Sequence, residues 1–322
     1  MKIFLWTLAI MLSMVVLCAL IGFIFDRWAG QRDAKRFPPE GMLVDIGGRH
    51  LHLYCSGVRT SGPTVIIEAG GATPSIVSRQ VQDGAAQYAQ ICSYDRAGFG
   101  WSDPVESTQT FEDRADDLHT LLQHANITPP YIMVGESFGG LVVRTYANRY
   151  PDTVIGMILV DAAEEQHTFD KIALLESQSR AARIATWAAY LGVVRLLLPR
   201  SPNLALVPDQ LKEPVVALMS RPSHWRAAAK ESAAYTRTPK ERRGVAGFGK
   251  LGSMPLMIIR HGKEFTGQEA VLENGWTEAQ QRLAILSTNS KIIVAENSGH
   301  GISLEAPEVV VTAIIEMLTK VR

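Results

Sequence analysis

Apolar and polar positions along the 322 residues fall into three regimes. Residues 3–25 contain no charged side chain. From residue 42 to about 160, and again from 255 onward, short apolar runs alternate with helix-like patterns. Between 162 and about 252 that alternation stops, and Ala, Leu and Arg recur at helical spacing. The alternating regime predicts an opening hairpin, 42–45 and 50–55, turning at Gly47-Gly48. Further strands are predicted near 64–68, 90–94, 131–135, 155–160, 255–260 and 291–295, with helices such as 111–125, 141–149 and 307–321 between and after them. Strands separated by helices predict a mostly parallel sheet.

The 23 uncharged residues at the start would span roughly 34 Å as a helix, enough for a hydrocarbon core of about 30 Å. Residues 1–28 are therefore read as a transmembrane anchor in contact with the bilayer through residues 3–25. A cleaved signal peptide is the alternative, but its apolar core is normally about 7–15 residues and ends at a small-residue site. Val15-Val16-Leu17 before Cys18 is too bulky for lipoprotein processing. Residues 29–40, with Pro38-Pro39, read as a polar linker. Lys2 precedes the apolar run while Arg27, Arg32, Lys35 and Arg36 follow it, and the side of the membrane that holds the rest of the chain stays open.

One strand carries candidate chemistry. The run Tyr131-Ile132-Met133-Val134 leads into Gly135-Glu136-Ser137-Phe138-Gly139, and a helical segment follows at once. A serine on a tight strand-to-helix turn presents its hydroxyl at the carboxyl end of a sheet, and the helix behind it aims free N–H groups at developing negative charge. A base is available where it is needed: His300, in Ser298-Gly299-His300-Gly301, is the one histidine of eight in a Gly-rich loop after the last predicted strand. His261, closing the preceding strand, is its competitor.

With Ser93-Tyr94-Asp95-Arg96-Ala97-Gly98-Phe99-Gly100-Trp101-Ser102-Asp103 and Ser298-Gly299-His300, the chain resembles the α/β-hydrolase family over about residues 41–321. Tyr94 to Gly98 and Leu53-Tyr54-Cys55-Ser56-Gly57 are similar to a bacterial, serine-esterase-like branch. The resemblance implies an α/β fold with a mostly parallel eight-stranded sheet flanked by helices. It divides the core into 41–161 and 253–322 and makes 162–252 a helical cap between strands six and seven. Within that cap, 186–198 is expected to be core, with an acyl pocket or a bilayer contact as alternatives.

The family's acid usually follows strand seven as an aspartate, yet no aspartate occurs after Asp209. Asp161, closing strand six, is favoured for the role, and Glu264 is the alternative. The expected oxyanion hole is the amides of Phe138 and of Gly71, the latter in Ala69-Gly70-Gly71 after strand three. Ser137, His300 and the acid imply a serine hydrolase acting on a small hydrophobic ester or related acyl compound. Acyl transfer, thioester, amide or carbon–carbon cleavage at the same site is the alternative, as is a non-catalytic, membrane-tethered binding member of the fold.

Composition adds exclusions. Lys+Arg and Asp+Glu both number 32, so no basic excess points to nucleic acid. Neither a metal-ligand spacing nor a phosphate-binding glycine loop occurs, so neither metal nor cofactor is expected. Cys55 and Cys92 fall on strands that are neighbours in this fold, either disulfide-bonded in an oxidising compartment or as two buried thiols.

Overall fold

The computed structural model describes residues 1–59, 61–234, 249–265 and 267–321. The tail of the expected cap, 235–248, lies outside the described residues. Eight strands form one sheet: β1 (Met42–Asp45), β2 (His50–Ser56), β3 (Thr64–Glu68), β4 (Ile91–Tyr94), β5 (Tyr131–Glu136), β6 (Val154–Val160), β7 (Leu256–His261) and β8 (Ser290–Ala295). Their order is β1-β2-β4-β3-β5-β6-β7-β8. β2 is antiparallel to β1 and β4, and the remaining pairs are parallel. The chain leaves β3 toward β4 on one side and returns as β5 on the other, which opens a crevice above the carboxyl ends of β3 and β5.

The central strands are almost wholly buried because helices cover both faces. Side chains alternate between two cores. Ile66, Met133, Met157 and Ile258 meet α3 (Phe111–His124), α4 (Phe138–Arg149) and α10 (Trp276–Ala284) through Leu118, Leu122, Val143 and Leu283. Val65, Ile132, Ile158 and Met257 meet α2 (Arg79–Ala85) and α11 (Pro307–Lys320) through Val81, Val310, Ile314 and Met317.

Between β6 and β7 lie α5 (Glu165–Phe169), α6 (Ile172–Tyr190), α7 (Val193–Leu197), α8 (Asp209–Met219) and α9 (Pro222–Ala234). This cap is tied to the core by α8, whose Val215 and Leu218 pack with Ile76, Val77 and Trp101. The expectation that 186–198 forms cap core holds for Ala189 and Val194 but fails for Trp187, 72% exposed, and Leu197, 60%.

The linker expected over 29–40 is also corrected. Helix α1 runs without a break from Lys2 to Arg36. Its polar last turns face a partner: Asp26 and Ala29 are buried, and Arg195 of α7 donates to Asp26 (3.3 Å) and to Asp33. Gly22 lets the helix approach closely, since a Cβ there would stand 2.3 Å from the Leu191 carbonyl oxygen. Beyond the helix, Trp101 Nε1 donates to the Phe37 carbonyl at 3.0 Å. Residues 1–18 are exposed throughout. This helix is long and apolar enough to cross a membrane, a property it shares with signal sequences.

On β2 and β4, Cys55 stands directly opposite Cys92 and the two are disulfide-bonded. Alkylation of denatured, unreduced protein is therefore expected to modify Cys18 alone, and all three cysteines only after reduction, as read by intact mass. Three labels without reductant would mean the pair is reduced.

Candidate active site

Ser137 sits between the end of β5 and the first turn of α4 with φ +49° and ψ −116°, a backbone conformation rarely held away from functional turns. The flanking glycines make that turn possible. A Cβ on Gly135 would come 2.6 Å from Val143 Cγ2, and one on Gly139 2.5 Å from the Glu68 carbonyl oxygen. The Ser137 carbonyl accepts from Gly140 N and Ala163 N, so the turn is held from both α4 and the start of the cap.

His300 comes from the loop after β8. That loop is pinned where Gly262 N and Lys263 N donate to the Ser298 carbonyl. His300 Nε2 lies 2.9 Å from Ser137 Oγ and Nδ1 lies 2.7 Å from Asp161 Oδ2. Asp161, directly after β6, is fully buried and itself has a positive φ of 44°. Glu264 is exposed. The structure therefore brings together Ser137, His300 and Asp161, with the alternative carboxylate outside the group.

His261 joins the same carboxylate. Its Nδ1 is 2.7 Å from Asp161 Oδ2 and its Nε2 3.2 Å from Glu273 Oε2. Asp161 Oδ1 accepts from Trp276 Nε1 (2.9 Å) and from the His261 amide (3.1 Å). Burial alone would raise the Asp161 carboxyl, but the hydrogen bonds from His261 and His300 outweigh it and hold the pKa at about 2. An ionised carboxylate only accepts, so both imidazoles carry hydrogen on Nδ1. Neutral His300 then has a bare Nε2 that accepts the Ser137 hydroxyl. His261 faces carboxylates with both nitrogens: burial would lower its pKa, but Asp161 and Glu273 together raise it above the usual value, which favours the imidazolium. Among the described residues, Asp161, His261 and His300 are also the one group compact enough to hold a metal, with ligand atoms within 4.8 Å of one another. Their ligand atoms are occupied by the hydrogen bonds just described.

The loop after β3 is ordered by a buried cation. Arg96 donates to the carbonyls of Ala69 (2.8 Å) and Gly70 (2.7 Å), and to Glu68 (2.6 Å) and Glu231 (2.8 Å). Across a trans peptide the Gly71 N–H points opposite the Gly70 carbonyl, hence away from Arg96. Gly71 itself lies against Phe138, whose Cβ would be 3.4 Å from a Cβ at position 71. Glu231, from α9 of the cap, also accepts from Ala72 N at 2.6 Å. The cap is thus bonded into the loop that carries Gly71. Arg96 lies inside a motif visible in the sequence, but Glu231 is 135 positions away and Trp276 is 115 from Asp161, so no local pattern announces them.

These groups open into a cavity of about 770 Å³, lined by Gly71, Ser137, Phe138 and His300 on the core side and by Leu174, Leu175, Ala182, Ala185 and Trp225 on the cap side. Volume and lining suit a small, largely apolar ligand.

The sequence model of the alpha/beta hydrolase fold matches residues 63–211. The Bacillus subtilis protein YqjL is 25% identical over 262 residues, covering 80% of this chain and 84% of YqjL. A thermophilic esterase from Thermogutta terrifontis superposes with a TM-score of 0.62 at 22% identity, over 87% of this chain and 97% of the esterase. An esterase from Exiguobacterium antarcticum gives 0.65 at 16% identity, over 87% and 99%. The chain has the α/β-hydrolase fold. At these identities the solved structures establish the shared fold, and a fold of this kind hosts many chemistries.

Proposed function

We propose that this α/β-hydrolase is a serine hydrolase that cleaves a carboxylic ester or related acyl compound through an acyl-enzyme on Ser137. The observation that carries the reading is the continuous hydrogen-bonded path from Ser137 Oγ through His300 to Asp161, at 2.9 and 2.7 Å. Ser137 Oγ attacks the substrate carbonyl carbon while its proton passes to His300 Nε2. The resulting oxyanion is stabilised by the amides of Phe138 and Gly71. Collapse breaks the bond to the leaving oxygen, which takes the proton from His300. Water then attacks the acyl carbon, gives its proton to His300, and releases the acid with Ser137 restored. A serine nucleophile speaks against the dehalogenase and epoxide-opening chemistry that an aspartate here would support. The test is covalent capture: a fluorophosphonate probe should modify the wild-type chain at Ser137, mapped by peptide mass.

His261 is expected to tune the base. As an imidazolium on the far side of Asp161 it disfavours a second positive charge on His300. His300 must be neutral to accept the serine proton, so the acid limb of kcat/KM follows its pKa. His261→Gln removes the neighbouring cation, and the acid limb should move to higher pH by about one unit. A limb that stays in place, or moves to lower pH, would contradict the charge assigned to His261.

The disulfide supports a location for the catalytic domain on the oxidising side of the membrane. The cations after the apolar run favour the opposite side; the bonded Cys55–Cys92 pair, of a kind rare in a reducing cytosol, supports the oxidising side.

A further inference from the structure

α6 and the segment Val193–Arg200 meet at 96°. The outside of this elbow displays Ile184, Trp187, Leu191, Val193, Leu196 and Leu197, exposed by 71, 72, 41, 39, 55 and 60%. Ile184 and Trp187 on α6 and Leu191 at its C-cap are spaced three and four apart, so they follow one stripe. A contiguous apolar surface of this kind on a folded protein marks something that covers it.

What covers it follows from α1. The elbow is fixed to that helix rather than free to turn: Gly22 lies against the Leu191 carbonyl, Gly192 lies against Phe25, and Arg195 pairs with Asp26 and Asp33. Gly22 and Phe25 belong to the apolar run and Asp26 ends it. Four residues of helix place Gly22 about 6 Å below Asp26, inside the roughly 5–10 Å to which interfacial helices sink. With α1 across a bilayer, the elbow is held at the depth where acyl chains meet headgroups. Its side chains suit that level. Trp187 is an aromatic with a polar tip, and exposed Arg183 and Arg180 lie one and two turns back on the same face of α6, Arg183 donating to Ser179 and Arg180 beside Glu176, as cations suited to lipid phosphates.

We infer that the α6–α7 elbow is a second membrane contact, seated in the leaflet through which α1 leaves the bilayer, with lipid as its occupant. It follows from α1 spanning the membrane and is independent of the chemistry proposed for Ser137.

The test uses the full chain with Cys18→Ser, carrying a single reactive cysteine introduced as Trp187→Cys or Leu197→Cys and labelled with an environment-sensitive fluorophore. Val15→Cys reports on α1. Ile285→Cys, 75% exposed just before β8 at the amino edge of the sheet and so opposite the cap, reports on water. The proteins are reconstituted in phosphatidylcholine–phosphatidylglycerol nanodiscs. A spin-labelled lipid with its nitroxide near the headgroup should quench labels at 187 and 197 at least about twofold more than the label at 285, with aqueous iodide giving the reverse order. Labels at 187 and 197 that behave like 285 while 15 is quenched by a deep nitroxide would overturn the inference. A label at 15 that remains in water would overturn it as well, because the elbow's depth is set by α1.

Discussion

Ser137→Ala is expected to abolish labelling by a fluorophosphonate probe and to lower ester turnover by at least ~10⁴-fold, the scale on which loss of a serine nucleophile is felt when its base is intact. The argument is local. Ser137 Oγ is the group that His300 Nε2 faces at 2.9 Å, and alanine keeps the positive-φ turn no worse than serine does while removing the attacking oxygen. His300→Ala should be nearly as severe, since a serine hydroxyl with no acceptor stays protonated near neutral pH. Labelling that persists in Ser137→Ala would move the nucleophile elsewhere. A folded wild type that reacts with no probe and cleaves no ester would favour a binding role for the cavity.

Asp161→Asn is expected to reduce single-turnover acylation by at least about a hundredfold, whereas Glu264→Gln should cost less than about tenfold. A side-chain amide at 161 can present an N–H to His300 Nδ1. The imidazole would then keep its hydrogen on Nε2, and that tautomer cannot accept from Ser137. Trp276 Nε1 and the His261 amide both donate to Asp161 Oδ1, so the carboxylate is held from behind and has little freedom to compensate. Glu264, exposed on its loop, has no such grip on the histidine. Matched thermal unfolding midpoints should be established first, because Asp161 is also buried and paired. Should Glu264→Gln prove the crippled variant, the acid follows β7 instead.

The parallel sheet was legible because its strands are buried on both faces and therefore read as near-continuous Val, Ile, Leu and Met between turn residues. The serine turn was legible for a different reason: Gly135 and Gly139 are required sterically, and steric requirements leave marks at fixed spacing. Asp161 and Glu264 could not be separated with certainty from sequence, since each closes or follows a strand and only the distance to His300 distinguishes them. His261 was visible as a histidine at a strand end, but its bond to Asp161 joins β7 to the end of β6 across 100 residues. Two misreadings share one cause. The polar end of α1 looked like a solvent tether and the apolar stretch 186–198 looked like cap core, because each was judged without the other. Arg195 meeting Asp26 and Asp33 explains why the first is helix, and that joint leaves the second facing outward.

α6 has two working faces. Leu174, Leu175, Ala182 and Ala185 look into the cavity, while Ile184 and Trp187 look out from the elbow. A single helix, about 10 Å across, is all that separates the two. With the elbow seated in lipid as inferred and an ester as substrate as proposed, a lipophilic ester dissolved in that lipid would reach Ser137 by moving within a plane, without a passage through bulk water. Its effective concentration is a mole fraction of the lipid, not an amount per litre. At fixed total substrate, added inert phospholipid should slow turnover by dilution within the surface, while added buffer volume should leave it nearly unchanged.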